Sequence, residues 1–324
     1  MGLRQSKLAK FVLLLVRHIA GPLVKPATMG KKGKKAQAGK PKKLTPKDIG
    51  KRLDVLAKKV EEELKGADLF APQPPTEDCA ICFVPISRGH SETCYQACCG
   101  NDICTACMME NEESINKQNE EKSAGKKIAF TCPFCREPIP TCADEDIALL
   151  QARCLKNDHN AFTIMGNRYL DDEDGLGKDD LKALDCWIRA VELGSPEACG
   201  SIAICYDKGD GLSANKQRAV LFKRVGALRG NIGARNHIGC HEYHDLGNYE
   251  IAIRHWKIAA EAGHQPSLNA LKDIYNEKLP GNEFITKEEM DTVYRSGHEA
   301  QLEVASEERE KHRLKGKDNE FENQ

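Results

Sequence analysis

The apolar positions of this chain recur mostly at helical spacing, which predicts a protein built largely of α-helices. Between 45 and 66, apolar side chains return every three or four positions, at Ile49, Leu53, Leu56, Val60 and Leu64. Thr45 and Pro46 supply an N-cap and a first-turn proline, and Gly66 supplies a stop. The pattern predicts one amphipathic helix, which we expect to pack on the domain that follows a stiff Pro-rich linker at 67–76.

A longer stretch of helical pattern, from 143 to 280, consists of an internal sequence repeat. When Ala183, Ala219 and Ala252 are aligned, a small residue follows seven positions later and a glycine eleven positions later in all three copies. The small residues are Ala190, Gly226 and Ala259, and the glycines are Gly194, Gly230 and Gly263. Small residues at fixed positions let paired helices approach closely, and glycine ends the second helix in the left-handed conformation. This unit of helix, loop, helix and glycine turn predicts an α-solenoid.

The two ends of the chain lack this pattern, and they differ in charge. Lys plus Arg is 48 and Asp plus Glu is 49, yet residues 1–47 hold 13 basic residues and no acid. This distribution excludes a uniformly basic nucleic-acid binder, and it predicts that residues 1–44 form a disordered basic arm. At the other end, residues 286–324 read as a charged helix, capped by Thr286 and running to about Arg313, followed by a polar tail.

The basic arm allows several interpretations. Its first six residues fit the N-myristoylation pattern, so we expect membrane attachment only if Gly2 is acylated. The lysines at 31–35 can address the nucleus, the stretch 11–24 can be a transit peptide, and Met29 can be the true start. The longest apolar run, 11–16, is too short to cross a bilayer. We expect an intracellular protein, cytoplasmic or nuclear, with no transmembrane segment and, since the arm lacks interleaved aromatics, no nucleic-acid partner.

Nine of the fifteen cysteines lie between 79 and 135. Six of them form three C-x2-C pairs: Cys79 and Cys82, Cys104 and Cys107, and Cys132 and Cys135. Two thiolates at this spacing on a tight turn can reach one zinc ion, and four close a structural tetrahedron, so three pairs predict a zinc module rather than a redox dithiol. The later cysteines lack ligand spacing and are interpreted as small core residues. They are Cys142, Cys154, Cys186, Cys199, Cys205 and Cys240.

The order of the pairs resembles the RING finger family, in residues 77–140. Ile81 between the first two cysteines, Pro133 after the seventh ligand and Arg136 after the eighth also match that family. Its first and third ligand pairs hold one zinc, and its second and fourth pairs hold the other. The resemblance therefore implies one site made by Cys79, Cys82, Cys104 and Cys107, and a second site that includes Cys132 and Cys135.

The middle of the motif departs from the common family pattern. Asn101 stands at the position of a histidine ligand, and an amide is a poor zinc ligand beside thiolates. The all-cysteine variant of the family implies Cys99 as the fourth ligand. The third is then Cys98, with Cys94 or His90 as alternatives. Two structural zinc ions with eight cysteine ligands are the expectation.

The repeats look like the SEL-one-like family, which is related to tetratricopeptide repeats. The stretches 182–194 and 255–264 carry the likeness, which spans about 146–275. It implies a right-handed α-solenoid with an extended surface for a protein substrate or partner. The fold class expected is therefore mostly α: a disordered basic N-terminus, one helix, a small zinc cross-brace with a short β-hairpin and a helix, and then the solenoid.

The RING resemblance implies a ubiquitin ligase that forms no covalent intermediate and has no catalytic residue of its own. It would position a ubiquitin-charged conjugating enzyme, with Ile81 and Pro133 as apolar contacts and Arg136 as a hydrogen-bonding bridge. The alternative is a non-enzymatic adaptor with a structural zinc module. Hydrolase and oxidoreductase classes find no support, because the chain has no Gly-rich phosphate loop and no serine-nucleophile elbow.

Overall fold

The computed structural model describes residues 44–86, 93–121, 127–172 and 175–304, and every structural statement here refers to these ranges. The helices are α1 (Pro46–Leu64), α2 (Thr105–Glu120), α3 (Ala143–Cys154), α4 (His159–Asp171), α5 (Asp180–Glu192), α6 (Pro196–Lys208), α7 (Lys216–Leu228), α8 (Ile232–Cys240), α9 (Tyr249–Glu261), α10 (Gln265–Glu277) and α11 (Lys287–Val304). The two strands are β1 (Thr93–Gln96) and β2 (Asn101–Cys104). The basic arm with Gly2 and Met29, and the helix expected as far as Arg313, fall wholly or partly outside the described residues.

Helices α3 to α10 form the predicted solenoid, in which each helix packs against its neighbours in sequence. Polar residues cap the first helix of each pair: Asp158, Ser195, Asn231 and His264 each accept a hydrogen bond from a backbone N–H of the first turn. Glycines with positive φ occupy the turns before the last three of these caps. The prediction of a mostly helical protein with a short hairpin and a repeat solenoid is confirmed.

Two tryptophans pack where a glycine leaves room on the preceding helix. Trp187 on α5 lies against Gly166 on α4, and Trp256 on α9 lies against Gly239 on α8. A Cβ on Gly166 would lie 2.4 Å from Nε1 of Trp187, and one on Gly239 would lie 2.5 Å from Nε1 of Trp256. Both indoles are buried, so the two helix pairs can close only because these positions carry no side chain.

The third repeat contains a single-residue insertion. In each repeat a small residue on the first helix precedes a tyrosine, by three positions in the first two repeats and by four in the third. The pairs are Gly166 and Tyr169, Ala203 and Tyr206, and Gly239 and Tyr243. The extra residue lies in a π-helical turn, His241–Asp245, that continues α8. A π-turn absorbs one residue without ending the helix, so Tyr243 still packs against Trp256, with ring centroids 5.3 Å apart.

Helix α1 packs chiefly against α5 and α7 of the repeats, so the expectation that it packs on the domain next in sequence is wrong. Its buried stripe joins the same core as the repeat helices. Ion pairs flank the contact of α1 with the repeats on both sides. They are Asp54 with Arg218, Glu63 with Arg229, Lys59 with Glu192, and Arg52 with Asp185. The periodicity showed which face of α1 is buried but not which surface buries it.

Residues 65–71, called the strap here, continue from α1 across α8 and α9. Arg235 of α8 is 1% exposed and donates hydrogen bonds to the carbonyls of Leu69, at 2.6 Å, and Ala227, at 3.1 Å. The ring of Phe70 lies 3.6 Å from the Arg254 guanidinium and 4.9 Å from the His255 ring. A buried guanidinium is stable only with such partners, so the strap is part of the folded repeat surface.

Acid should weaken the fold through His255. Burial, together with the nearby charges of Arg235, Arg224 and Arg254, lowers the pKa of His255 from 6.5 to about 4. Below pH 6.5 the unfolded chain binds a proton that the folded chain excludes. The contribution of neutral His255 is therefore present above pH 6.5 and is lost as the pH falls toward 4. Between pH 7 and pH 5 we expect a loss of about 2 kcal/mol.

Urea unfolding of the natural chain and of His255→Leu at both pH values measures this effect. The leucine variant removes the titrating group while keeping an apolar side chain beside Phe70. All other titrating groups are common to the two chains, so the difference in their pH dependence isolates His255. An identical pH dependence in both chains would contradict the assignment.

Within the described residues, no helix combines the length and the apolar character that a membrane crossing requires.

Candidate metal centre and repeat groove

The first C-x2-C pair lies on a tight turn. The N–H of Cys79 donates to the carbonyl of Val84 at 3.0 Å, and the N–H of Phe83 donates back to the carbonyl of Cys79 at 3.0 Å. Phe83 has a φ of 56°, a left-handed conformation that folds the backbone around the Cys79 and Cys82 sulfurs. The N–H of Cys104 also donates to the Cys79 sulfur, at 3.3 Å.

The last C-x2-C pair repeats this turn. The N–H of Cys132 donates to the carbonyl of Glu137 at 2.8 Å, the N–H of Arg136 donates to the carbonyl of Cys132 at 2.9 Å, and Arg136 has a φ of 65°. Arg136 is thus the structural counterpart of Phe83. Likewise Phe134, 49% exposed, occupies the position that Ile81 holds in the first turn. Sequence analysis missed Phe83 and Phe134, although superposing the two C-x2-C segments would have paired them.

The other four predicted ligands lie at or next to the two ends of the β-hairpin. Strands β1 and β2 are antiparallel, with Thr93 opposite Cys104 and Gln96 opposite Asn101. Cys98 and Cys99 lie in the turn between the strands, whereas Cys104 ends β2 and Cys107 lies in the first turn of α2. A four-residue strand spans about 13 Å, so the two ends of the hairpin serve two different cysteine clusters.

The structure brings the eight predicted cysteines together in two groups of four. One group is Cys79, Cys82, Cys104 and Cys107, and the other is Cys98, Cys99, Cys132 and Cys135; within each, the sulfurs all lie within 4.8 Å of one another. A zinc tetrahedron with Zn–S bonds of about 2.3 Å has S···S edges of about 3.8 Å. The sulfurs of Cys82 and Cys104 are 3.9 Å apart, those of Cys99 and Cys132 are 3.9 Å apart, and those of Cys98 and Cys135 are 3.4 Å apart. Both groups fit such an ion.

The alternatives for the third ligand lie elsewhere. Cys94 lies in the middle of β1, opposite Ile103, and belongs to neither group. His90 lies outside the described residues. Cys98 is the cysteine that completes the second group, because the hairpin turn directs it and Cys99 toward the same last C-x2-C turn.

The electrostatics of the clusters favour a bound cation. Burial alone would raise the pKa of the Cys79 thiol, but the N–H groups of Cys104, Cys82 and Ile81 outweigh it and lower this pKa to about 6. At Cys107, burial, hydrogen bonding and the charges of Cys104 and Cys79 raise the pKa instead. Four adjacent thiolates repel one another, so they can be ionised together only around a metal ion that neutralises them. A set of four sulfurs is the ligand set typical of structural zinc.

The three residues expected to meet a conjugating enzyme differ in exposure. Arg136 is exposed, Ile81 is half-buried and Pro133 is buried. The most exposed apolar side chain here is Phe83, at 76%. A phenylalanine that is both exposed and held at positive φ contributes little to folding.

A half-buried hydrogen-bond network joins the hairpin to the first repeat. The Tyr95 hydroxyl on β1 donates to Oδ2 of Asp158 at 2.8 Å, and Arg153 donates to the same oxygen at 2.9 and 2.7 Å. Asn160 donates to Oδ2 of Asp102 on β2 at 3.1 Å. Asp158 is also the N-cap of α4. The network thereby fixes the hairpin to the start of a repeat helix.

Gly100 permits this contact. Its φ is +78°, and a Cβ at this position would lie 1.6 Å from Nη2 of Arg153. The Arg153 guanidinium can therefore lie over the hairpin turn only when residue 100 is glycine. Burial, together with the charges of Glu77 and Asp158, raises the pKa of Asp102 to about 6.

A groove of about 1250 Å³ begins at this junction and runs across the first helices of the repeats to the end of α11. Thr93, Tyr95 and Asp102 line its hairpin end, and Glu303 and Val304 line its far end. Ile204 of α6 projects into it and is 41% exposed. Two cations of the lining, Lys223 and Arg229, are paired with Asp207 and Glu63. Four carboxylates of the lining have no salt-bridge partner among the described residues: Glu77, Asp102, Glu197 and Glu303.

Comparisons with known proteins add to this picture. No family model matches the chain. Among solved structures, it is similar to a Sel1 repeat protein from Oxalobacter formigenes, at 26% identity and a TM-score of 0.42, over 48% of this chain and 64% of that protein. It is also similar to a protective antigen present in uropathogenic Escherichia coli strains that displays an SLR fold, at 21% identity and a TM-score of 0.42, over 60% of this chain and 43% of that protein. The chain thus covers less than two thirds of either protein.

Proposed function

We propose that the chain is a RING-type ubiquitin ligase in which each four-cysteine cluster holds one structural zinc ion. The observation that carries the proposal is the alternating order of the clusters along the chain. The first and third cysteine pairs meet in one cluster, and the second and fourth pairs meet in the other. This interleaving is the cross-brace implied by the RING resemblance, and a simple tandem of zinc fingers would not produce it. Zinc supplies cross-links that a module this small needs in place of a large core.

The chain's own residues would act by positioning. Arg136 is exposed, so its guanidinium is available as a hydrogen-bonding bridge between a conjugating enzyme and ubiquitin. Ile81 would supply apolar contact, and Phe83 and Phe134 extend the exposed apolar surface of the two cysteine turns. Holding two reactants in a productive arrangement accelerates a transfer without any covalent step on the protein.

The repeats would bind the protein partner. Solenoids present extended surfaces that suit peptides and proteins better than small molecules. The groove starts at Thr93, Tyr95 and Asp102, which belong to the hairpin of the cysteine module. A segment bound there would therefore lie beside the module that positions ubiquitin.

A non-enzymatic adaptor is the second candidate function, and the burial of Pro133 favours it. In the resemblance, Pro133 is part of the apolar contact for the conjugating enzyme, yet this side chain is buried. An adaptor would keep the zinc ions and the groove, and it would transfer nothing.

Autoubiquitination of the purified full chain with a panel of conjugating enzymes tests the proposal. We expect ubiquitin ladders that disappear when a chelator removes zinc. We also expect them to form roughly ten-fold more slowly in Arg136→Ala, since a hydrogen bond to a charged group contributes about 1.5–3 kcal/mol.

Arg295→Ala is the matched control for this assay, because Arg295 is an exposed arginine on α11, in another part of the fold. It should leave the ladders unchanged. A chain that holds two zinc ions, yet forms no ladders and binds no conjugating enzyme in a direct titration, would replace the ligase with the adaptor.

A further inference from the structure

We propose that the repeat groove binds an extended basic segment of a partner protein, with lysine or arginine at every third position and one apolar side chain against Ile204. This inference rests on the proposed role of the repeats in partner binding, and it names the chemistry of that partner. Three observations carry it: the carboxylates of the groove, their spacing, and an exposed isoleucine on its floor.

The hairpin half of the groove is negatively charged. Glu77, Asp102 and Glu197 line this half, and none of them has a salt-bridge partner among the described residues. Lys223 and Arg229 also line the groove, but each is paired with a carboxylate outside it, so neither offsets the three acids. Charges in a partly enclosed groove are screened less than charges on an open surface.

The histidines of the lining change this charge little. The ordinary pKa of histidine is about 6.5. Burial, together with the charge of Lys223, lowers the pKa of His237, and burial, together with His237, lowers that of His264. Both are therefore neutral at pH 7. The groove thus favours a positively charged ligand and disfavours nucleic acid or an acidic segment.

Two of the carboxylates lie about one helix spacing apart. Asp102 accepts a hydrogen bond from Asn160 at 3.1 Å, and Asn160 is the second residue after the cap of α4, as Glu197 is after the cap of α6. The two helices lie side by side here, because the hydroxyl oxygens of Thr163 and Ser195 are 3.0 Å apart. Neighbouring helices lie about 8–10 Å apart. In a polyproline II segment, side chains on one side recur every three residues, about 9 Å, so basic residues at that interval can meet both carboxylates.

The groove is long enough for a peptide. It crosses the first helices of four successive pairs, α4, α6, α8 and α10. The contact between these helices continues to the last of them, where the Ser267 hydroxyl donates to Oδ1 of Asn236 at 2.9 Å. Three steps of about 8–10 Å make a path of roughly 30 Å. A polyproline II segment of about nine residues covers that path.

Ile204 offers an apolar contact beside the acidic positions. It is 41% exposed on α6, although Ile202 and Ala203 next to it are fully buried. Because Ile204 follows Glu197 by seven residues, both lie on the groove face of α6, two turns and about 10 Å apart. The corresponding residue of the preceding repeat, Asn167, is polar. The groove face of α6 therefore fits a segment whose row of basic residues lies next to an apolar residue.

A fluorescent peptide of about twelve residues tests the proposal by anisotropy with the full chain. It has lysine at every third position, one central leucine after a lysine, and proline and serine elsewhere, which favour the polyproline II conformation. We expect it to bind, and to lose affinity as salt rises. Replacing its lysines by glutamate should weaken binding about ten-fold or more, and replacing its leucine by serine should weaken binding several-fold.

Variants of the chain locate the site. Glu197→Lys should weaken binding of the lysine peptide about ten-fold or more, and Ile204→Ser should weaken it several-fold. Glu250→Lys, which changes an exposed glutamate on α9 outside the groove, should leave it unchanged. The Glu197→Lys chain should also bind the glutamate peptide better than the natural chain does, a gain that a merely misfolded variant would not show.

Absence of binding to the natural chain, equal binding of the lysine and glutamate peptides, or insensitivity to Glu197→Lys would each overturn the proposal. So would a gain of about ten-fold in affinity when Lys31, Lys32, Lys34 and Lys35 are all replaced by glutamine, because the chain's own arm would then be the occupant. The assay needs no ubiquitin transfer. Peptide binding without ladders would remove the ligase and keep this inference, and ladders without peptide binding would do the reverse.

Discussion

Replacing Cys104 by serine is expected to abolish one of the two proposed zinc sites and to unfold half of the cysteine module. Cys104 is buried where β2 meets α2, and its sulfur lies 3.9 Å from that of Cys82. A serine hydroxyl does not replace a thiolate in such a cluster. Because structural zinc sites contribute about 10–16 kcal/mol of binding free energy to folding, losing one ligand removes most of what holds residues 77–86 against β2.

Metal analysis and hydrogen exchange check this result. The zinc-to-protein ratio should fall by one, and the amides of residues 77–86 and 101–107 should lose protection while those of α6 and α7 keep it. Cys142→Ser is the control, because Cys142 is an exposed cysteine outside both clusters. If Cys104→Ser retained two zinc ions, the assigned cluster would be wrong.

The second large effect is expected for Gly166→Ala. Alanine is the better helix former by about 0.5–1 kcal/mol, yet its Cβ would meet the buried indole of Trp187 at 2.4 Å. The indole is also held by a hydrogen bond from its Nε1 to Oδ1 of Asn167, at 3.1 Å. Overfilling such a site costs about 1–3 kcal/mol, so the substitution should destabilise the chain.

Gly200→Ala is the matched control, since Gly200 lies within α6 and its Cβ would meet only the Asn231 side chain, at 3.7 Å. The control should be stabilising. Because both substitutions gain the same helix propensity, the two variants should differ by the cost of overfilling alone, about 1–3 kcal/mol in the free energy of unfolding measured in urea. The middle repeat supports this reading: it has Ala203 in place of the glycine and Lys223 in place of the tryptophan. A Gly166→Ala chain as stable as Gly200→Ala would show that the indole can move.

The structural features that depend on local residue spacing could be predicted from the sequence. The C-x2-C turns are set by residues within one or two positions of each ligand, and the repeat helices are set by apolar periodicity and caps. The sequence left Cys98, Cys94 and His90 as alternatives, because the choice depends on the register of the hairpin. In the structure Cys94 is opposite Ile103 in mid-strand, whereas Cys98 lies in the turn. That register is fixed by pairing across the strands and not by spacing along one of them.

Contacts between distant segments were beyond sequence reasoning. An amphipathic stripe on α1 shows that one face is buried, but α5 and α7 offer an apolar surface as suitable as the cysteine module. The network of Tyr95, Arg153 and Asp158 joins residues whose polar side chains carry no periodic signal. The single-residue insertion of the third repeat, which the structure places in a π-turn, was also not predicted from the spacing.

Helix α1 and the strap change how the repeat stack can come apart. In a plain solenoid each unit contacts only the next, so units can fray one at a time from an end. Here a single segment, α1 and the strap, bridges α5, α7, α8 and α9 through contacts between residues 133 to 185 positions apart. Bringing such distant segments together slows folding and adds a loop-closure cost. Once these contacts have formed, they couple the four bridged helices, which therefore unfold together instead of one pair at a time.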